Sequence, residues 1–71
     1  MTQATPTVTD LQAQIKRLNS KAGQLKMDLH DLAEGLPTDY DRLIEAATTT
    51  YEIYHQIHQL KQQLKQLEAL T

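Results

Sequence analysis

One stripe of apolar residues, spaced alternately four and three apart, constrains this chain more than any other feature. In the first half it comprises Leu11, Ile15, Leu18, Ala22, Leu25, Leu29, Leu32 and Leu36. The second half repeats the pattern with Leu43, Ala46, Thr50, Ile53, Ile57, Leu60, Leu64 and Leu67. This spacing keeps the side chains on one side of an α-helix, as in coiled coils. The sequence therefore predicts two long helices, each with one buried stripe.

The start of the first helix is indicated by a capping motif. Residues 1–8 are rich in Thr and contain Pro6, and we predict a flexible tail there. Thr9 followed three positions later by Gln12 matches the capping box, in which each side chain binds the other residue's backbone N–H. The first helix is therefore expected at about residues 10–35.

The turn between the helices is short. Gly35 can adopt the left-handed conformation that ends many helices, and the proline two positions later cannot continue one. Thr38 or Asp39 can cap the second helix, expected at about residues 40–70. The loop then spans about residues 36–39, and so short a connection forces the two helices to run antiparallel.

The two stripes match when the chain folds back at this loop. Leu25 then faces Ile53, Ala22 faces Ile57, and each facing pair of residue numbers sums to 78 or 79. Small residues oppose large ones, which suits interdigitated packing, and Leu25 is expected to be fully buried. The predicted fold is all-α: residues 9–71 form one antiparallel two-helix hairpin with coiled-coil packing.

A hairpin of this size needs further stabilisation. With 71 residues and no Cys, the chain has neither a large core nor disulfides. We therefore expect it to form a homodimer or higher oligomer, assembled as a helical bundle. The absence of Cys, of a signal-peptide pattern and of a long apolar run predicts a cytoplasmic protein without a membrane segment.

A second stripe suggests where such self-association occurs. On the second helix it comprises Ile44, Ala47, Tyr51, Tyr54 and His58. The corresponding positions of the first helix are Gly23, Lys26, His30 and Ala33. We call these nine residues the tyrosine face and predict that they form a dimer or partner interface, because an exposed apolar patch usually marks one. Snorkelling of Tyr51 and Tyr54 over the hairpin is the alternative. Toward the chain termini the same side of the hairpin becomes basic, with Lys16, Lys61 and Lys65.

Metal binding is a weaker hypothesis. His55 and His58 are three residues apart on one helix, and His30 lies among acidic residues. A specific zinc site normally has three or four placed ligands with supporting hydrogen bonds. Two histidines on one helical turn do not meet that requirement, so we predict no physiological metal and no cofactor.

Catalysis is not indicated either. The sequence has no Gly-rich phosphate loop, no Cys nucleophile and no carboxylate pair with an evident cleft. We therefore predict a protein that is not an enzyme.

Nucleic-acid binding is the alternative from another functional class. Lys16, Arg17, Lys21 and Lys26 form a basic stretch on the first helix. However, residues 27–56 carry seven acidic side chains against one Arg, which would repel phosphate. A small RNA- or DNA-binding regulator built on the same bundle is therefore the less favoured function.

Residues 18–54, LNSKAGQLKMDLHDLAEGLPTDYDRLIEAATTTYEIY, resemble a known family. The segment KMDLHDLAE, the following LP, the acidic turn and the Thr50-Tyr51 pair carry the likeness. The sequence is similar to the Rop-like proteins encoded in nitrogen-fixation gene clusters of cyanobacteria and other diazotrophs. The resemblance implies an oligomeric antiparallel hairpin with an accessory role around nitrogenase or its cofactor assembly. Because they lie outside the first stripe, Met27, His30 and Asp31 are candidates for partner contact.

Overall fold

The computed structural model describes residues 7–70, which form two antiparallel α-helices joined by a short turn. Helix α1 spans Val8–Glu34 and helix α2 spans Leu43–Leu70, with a single 3-10 turn at Tyr40–Arg42 directly before α2. The two helices pack along their length, and the molecule measures 51 × 26 × 15 Å. The prediction of an all-α helical hairpin is confirmed.

The core follows the predicted stripe. The buried side chains are Leu11, Ile15, Ala22, Ile53 and Ile57. Leu18, Leu25, Leu60 and Leu64 are partly buried and pack against the cluster that Ala22 and Ile57 help to form. Among residues 7–70, the remaining partly buried side chains are those of Val8 and of other stripe positions, whereas Leu36 is exposed. The alternating spacing of three and four residues therefore keeps the stripe on the packed side of each helix along its length. The residues between stripe positions stay on the sides that face solvent.

Leu25 is half-buried, so the expectation that it is fully buried is wrong. It lines a groove together with Leu18, Lys21 and Ile53, where the side of the seam is open. Two helices alone give each stripe only one facing surface. A leucine on the seam therefore keeps contact with solvent wherever flanking side chains do not cover it.

Helix α1 begins earlier than expected. Thr7, not Thr9, is the N-cap: its Oγ1 accepts from the Asp10 backbone N–H at 3.1 Å, and Asp10 Oδ2 accepts from the Thr7 N–H at 3.3 Å. The predicted box with Gln12 is therefore wrong by two residues. The physical reason is Val8, which is partly buried and extends the apolar stripe by one step. Within the predicted tail, residues 1–6 lie outside the described residues.

The turn uses a different residue from the one expected. Gly35 has φ −86°, and its N–H donates to the carbonyls of Asp31 and Leu32, each at 3.2 Å. The left-handed residue is instead Asp39, with φ 57°. Asp39 precedes the 3-10 turn, but its side chain makes no capping hydrogen bond. The chain thus reverses direction four residues after Gly35, at an Asp, a residue type that tolerates this conformation better than most.

Candidate functional site

The tyrosine face lies on the surface of the hairpin. All nine of its residues are exposed, and so is the neighbouring Met27. The exposed fraction is 81% for Ile44, 66% for Tyr51 and 41% for Tyr54. Large apolar side chains with this exposure are not part of the hairpin core.

Two aromatic rings are stacked at the tyrosine face. The rings of Tyr51 and His55 stack with centroids 5.6 Å apart and an interplanar angle of 9°. This contact was not anticipated, although a separation of four residues on one helix face makes it possible. The stacking places the imidazole of His55, which is not one of the nine residues, beside Tyr51 at the edge of the tyrosine face.

The part of the tyrosine face that belongs to α1 contains a shallow groove. It has a volume of about 380 Å³ and is lined by Gly23, Lys26, Met27 and His30. A Cβ atom built on Gly23 would have no atom within 4 Å, so the glycine leaves open space on the surface. The structure therefore brings together four of the predicted interface residues around one depression.

The opposite side of the hairpin is polar and partly acidic. A groove of about 310 Å³ near the turn is lined by Asp28, Asp31, Asp39, Arg42, Glu45, Leu32 and Ala46. We call this side the acidic face; farther from the turn it continues through Lys21, Thr49 and Gln56. Gln24 Nε2 donates to Asp28 Oδ1 at 3.0 Å on this side. This side carries Asp28, Asp31 and Glu45, whereas none of the nine residues of the tyrosine face is acidic.

The histidines do not assemble a metal site. His30 Nδ1 lies 3.7 Å from Asp31 Oδ1, a contact between exposed neighbours in sequence. Within residues 7–70, no group of three or more His, Asp or Glu side chains is arranged to hold a metal ion. His55 stacks on Tyr51, and His58 is exposed on the tyrosine face.

The helices are also unsuited to crossing a membrane. In the part of the chain that the structure describes, neither helix combines the length and apolar character that a membrane span requires.

A model of the Rop-like family matches residues 6–69. The chain belongs to the Rop-like family. Among curated relatives of this Rop-like chain, UPF0437 protein asl1434 of Nostoc sp. is 67% identical over 61 residues, covering 86% of this chain and 86% of the relative. A UPF0437 protein of Azorhizobium caulinodans is 40% identical over 62 residues, covering 87% and 90%.

A third relative carries information on gene context. It comes from Frankia alni and is described as a UPF0437 protein in the nifX-nifW intergenic region. It is 48% identical over 46 residues, which cover 65% of this chain and 56% of the relative. The resemblance to Rop-like proteins of nitrogen-fixation clusters is thus confirmed, and one relative lies between nif genes.

Solved structures show the same hairpin. A DUF683-family protein from the cyanobacterium Cyanothece, solved by crystallography, superposes with a TM-score of 0.83 at 59% identity, covering 89% of this chain and 93% of that one. An NMR structure from a structural genomics consortium superposes with a TM-score of 0.78 at 43% identity, covering 97% and 93%. The Rop-like hairpin described above is therefore shared by homologous chains.

Proposed function

We propose that this chain is a non-enzymatic accessory protein of nitrogen fixation that dimerises through the tyrosine face and presents a helical surface to a nitrogenase-related protein or to a cofactor-assembly protein. The observation that carries the proposal is the exposure of Ile44, Tyr51 and Tyr54 on one side of the hairpin, outside its core. Solvent-exposed aromatic and aliphatic area of this kind is typical of interfaces.

A second copy of the chain is the simplest occupant of the loop-proximal part of this face. A closed twofold dimer uses the same patch on both copies, and on this stripe Ile44 and His58 lie seven residues before and after Tyr51. In such an arrangement small Ala47 is opposite the partner's Tyr54, and the two copies of Tyr51 lie near the twofold axis. The open space beside Gly23 allows close approach on α1.

The link to nitrogen fixation rests on homology. A relative with 48% identity is described as lying in the nifX-nifW intergenic region of Frankia alni. That gene position supports a role together with nif products, and the exposed apolar side chains of the tyrosine face favour binding. We therefore propose that the remaining surface of the dimer is the part that contacts a nitrogen-fixation protein.

Sedimentation velocity at micromolar concentration tests the dimer. Tyr51→Glu combined with Tyr54→Glu introduces two charges into the proposed contact and should give monomers, because burying unpaired carboxylates is costly. Gln56→Glu combined with Gln63→Glu is the matched control, since it adds the same charge to the same helix on the other side. The proposal is contradicted if the tyrosine variant stays as associated as the control.

The functional link is tested separately in nitrogen-fixing cells. A strain that carries the tyrosine variant in place of the wild-type gene should show reduced acetylene reduction, whereas the glutamine variant should not. Equal activity of both strains, with equal amounts of the two proteins, would contradict a role of this face in nitrogen fixation.

A further inference from the structure

We infer that the two copies of the proposed dimer lie antiparallel, with their turns at opposite ends, and that basic residues near the termini of each copy contact acidic residues at the turn of the other. The basic residues, which we call the lysine end, are Lys61 and Lys65. The acidic residues, which we call the acidic turn, are Glu34 and Asp41. The inference rests on the proposed function, because it assigns the orientation of that dimer and the charged contacts at both of its ends.

Charge is divided along the length of the hairpin. Residues 9–26 and 57–71, at the end that holds the chain termini, carry six basic side chains against two acidic ones. Residues 27–56, at the end that holds the turn, carry seven acidic side chains against one Arg. The molecule is 51 Å long, several times the ~8 Å over which salt screens charges at physiological ionic strength. Each hairpin is therefore a rod with a positive end and a negative end.

This division distinguishes the two ways in which a twofold axis can pair the rods through one face. An axis along the rods brings both turns to the same end, so that like charges lie together at each end. An axis across the rods places the turns at opposite ends, so that each positive end meets a negative one. Unlike ends attract and like ends repel, and such complementarity fixes orientation and register. The charges therefore favour the antiparallel dimer.

The spacing along α2 brings the lysine end level with the acidic turn. Lys61 and Asp41 each lie ten residues from Tyr51, in opposite directions along the chain. When two α2 helices cross antiparallel at Tyr51, Lys61 is level with the partner's Asp41, about 15 Å from the axis. Lys65 lies one helical turn farther out, beside the end of the partner's turn. The partner's Glu34, level with residues 44–45 of its own α2, lies about one helical turn nearer the axis.

The side chains of this contact flank the tyrosine face. Lys61 and Lys65 continue its spacing along α2, and Glu34 lies one helical turn beyond His30 on α1. All four charged residues are exposed, and neither Glu34 nor Asp41 lines the groove on the acidic face. Other carboxylates of the same half line that groove on the opposite side of the hairpin and stay outside the contact: Asp28, Asp31, Asp39 and Glu45. A second copy thus supplies the anionic groups for the lysine end, on the side where the lysines lie.

Charge reversal and its rescue test the contact, with dissociation constants measured by sedimentation at low ionic strength. Lys61→Glu combined with Lys65→Glu should weaken self-association about tenfold, and so should Glu34→Lys combined with Asp41→Lys, because attraction becomes repulsion at both ends of the dimer. An equimolar mixture of the two variants should associate within about threefold of wild type, since each reversed lysine end then meets a reversed turn. A mixture no tighter than its components overturns the inference.

The matched control reverses charge at the same end on the other side of the hairpin. Arg17→Glu combined with Lys21→Glu makes the same change in net charge as the lysine-end variant. It should weaken self-association less than about threefold, because these side chains face away from the partner. If the control weakens association as much as the lysine-end variant does, the contact is wrong.

A spin label measures the orientation directly. The chain has no Cys, so Gln66→Cys provides a single attachment site on each copy. Position 66 lies 15 residues from Tyr51, so the two labels of an antiparallel dimer are about 45 Å apart along the bundle. With both turns at one end, the labels would lie within roughly 25 Å, the width of a four-helix bundle. A distance in the shorter range from double electron–electron resonance would contradict the inference.

The remaining outcomes separate this inference from the proposed dimer. Wild type that stays monomeric contradicts both, whereas a dimer with unchanged affinity in all charge variants contradicts the lysine-turn contact alone. A dimer that binds a labelled oligouridylate through Lys61 and Lys65 also overturns it, because the lysines are then uncovered. If circular dichroism shows that a reversal variant is less helical, Lys61→Gln combined with Lys65→Gln replaces it and should weaken association about threefold.

Discussion

Replacing Ile57 by Ala probes the hairpin core, and replacing Ile44 by Ala in the same helix provides a matched comparison. Ile57 is 4% exposed and packs in the cluster with Ala22, whereas Ile44 is 81% exposed. Removing three buried carbons costs about 2.4 kcal/mol in transfer free energy at ~0.8 kcal/mol each. The cavity left behind adds to this, within the range of about 2–5 kcal/mol for such truncations.

This cost is large for a chain of this size. At roughly 0.05–0.15 kcal/mol per residue, a 71-residue protein has a free energy of unfolding of about 4–11 kcal/mol. We therefore expect Ile57→Ala to be largely unfolded or to melt far below wild type. In contrast, Ile44→Ala should change the unfolding free energy of the monomer by less than about 0.5 kcal/mol, because the side chain has no place in the core.

Urea denaturation followed by far-ultraviolet circular dichroism, at one protein concentration below the association midpoint and one above it, measures both effects. The loss for Ile57→Ala should be present at both concentrations. The loss for Ile44→Ala should appear only at the higher one, where association contributes to stability. If Ile44→Ala destabilises the dilute protein as much as Ile57→Ala does, the assignment of core and interface is wrong.

Three further substitutions test the helix ends and the surface groove. Thr7→Ala should lower the free energy of unfolding by about 1 kcal/mol, whereas Thr9→Ala should not, because Thr7 makes the capping hydrogen bond; equal urea midpoints for the two variants would refute this. Asp39→Val should destabilise by about 1–2 kcal/mol, since its φ of 57° is unfavourable for a β-branched residue, and Asp39→Gly should not; thermal melts that rank them otherwise would contradict the turn geometry. Gly23→Ala should stabilise α1 by about 0.5–1 kcal/mol, because nothing obstructs the added methyl group; a lower melting temperature at dilute concentration would show that the site is crowded.

The helices and their pairing could be predicted from the sequence because the apolar spacing is unbroken. Each step of three or four residues repeats the same information, and the two stripes match in length, so one register satisfies both. The burial of Ala22 and Ile57 on the seam follows directly from that pattern. The prediction rests on sixteen positions, so one position that is assigned wrongly does not change it.

The ends of the elements could not be predicted as well. Thr7 and Thr9 both precede a residue able to complete a capping box, and the choice between them depends on whether Val8 is drawn into the seam. Similarly, glycine adopts a positive φ more readily than aspartate, which favoured Gly35. The path of the turn nevertheless places the positive φ at Asp39. Tertiary packing decides such boundaries, and local motifs do not contain that information.

The candidate interface could be predicted as a surface but not in its detail. The spacing of Ile44, Tyr51 and Tyr54 places them together on one side of α2, outside the seam, and the structure finds all three exposed. The groove beside Gly23 and the stacking of Tyr51 on His55 depend on side-chain conformations, which spacing alone does not determine.

Isotope-filtered NMR on a mixture of labelled and unlabelled wild-type chains measures the central claim most directly. Only contacts between different copies give signals in this experiment, so no substitution is needed. We predict intermolecular nuclear Overhauser effects from the ring protons of Tyr51 and Tyr54 to Ala47 and Ile44 of the other copy. Intermolecular contacts that involve Thr49 and Gln56 instead, or none at millimolar concentration, would contradict self-association through the tyrosine face.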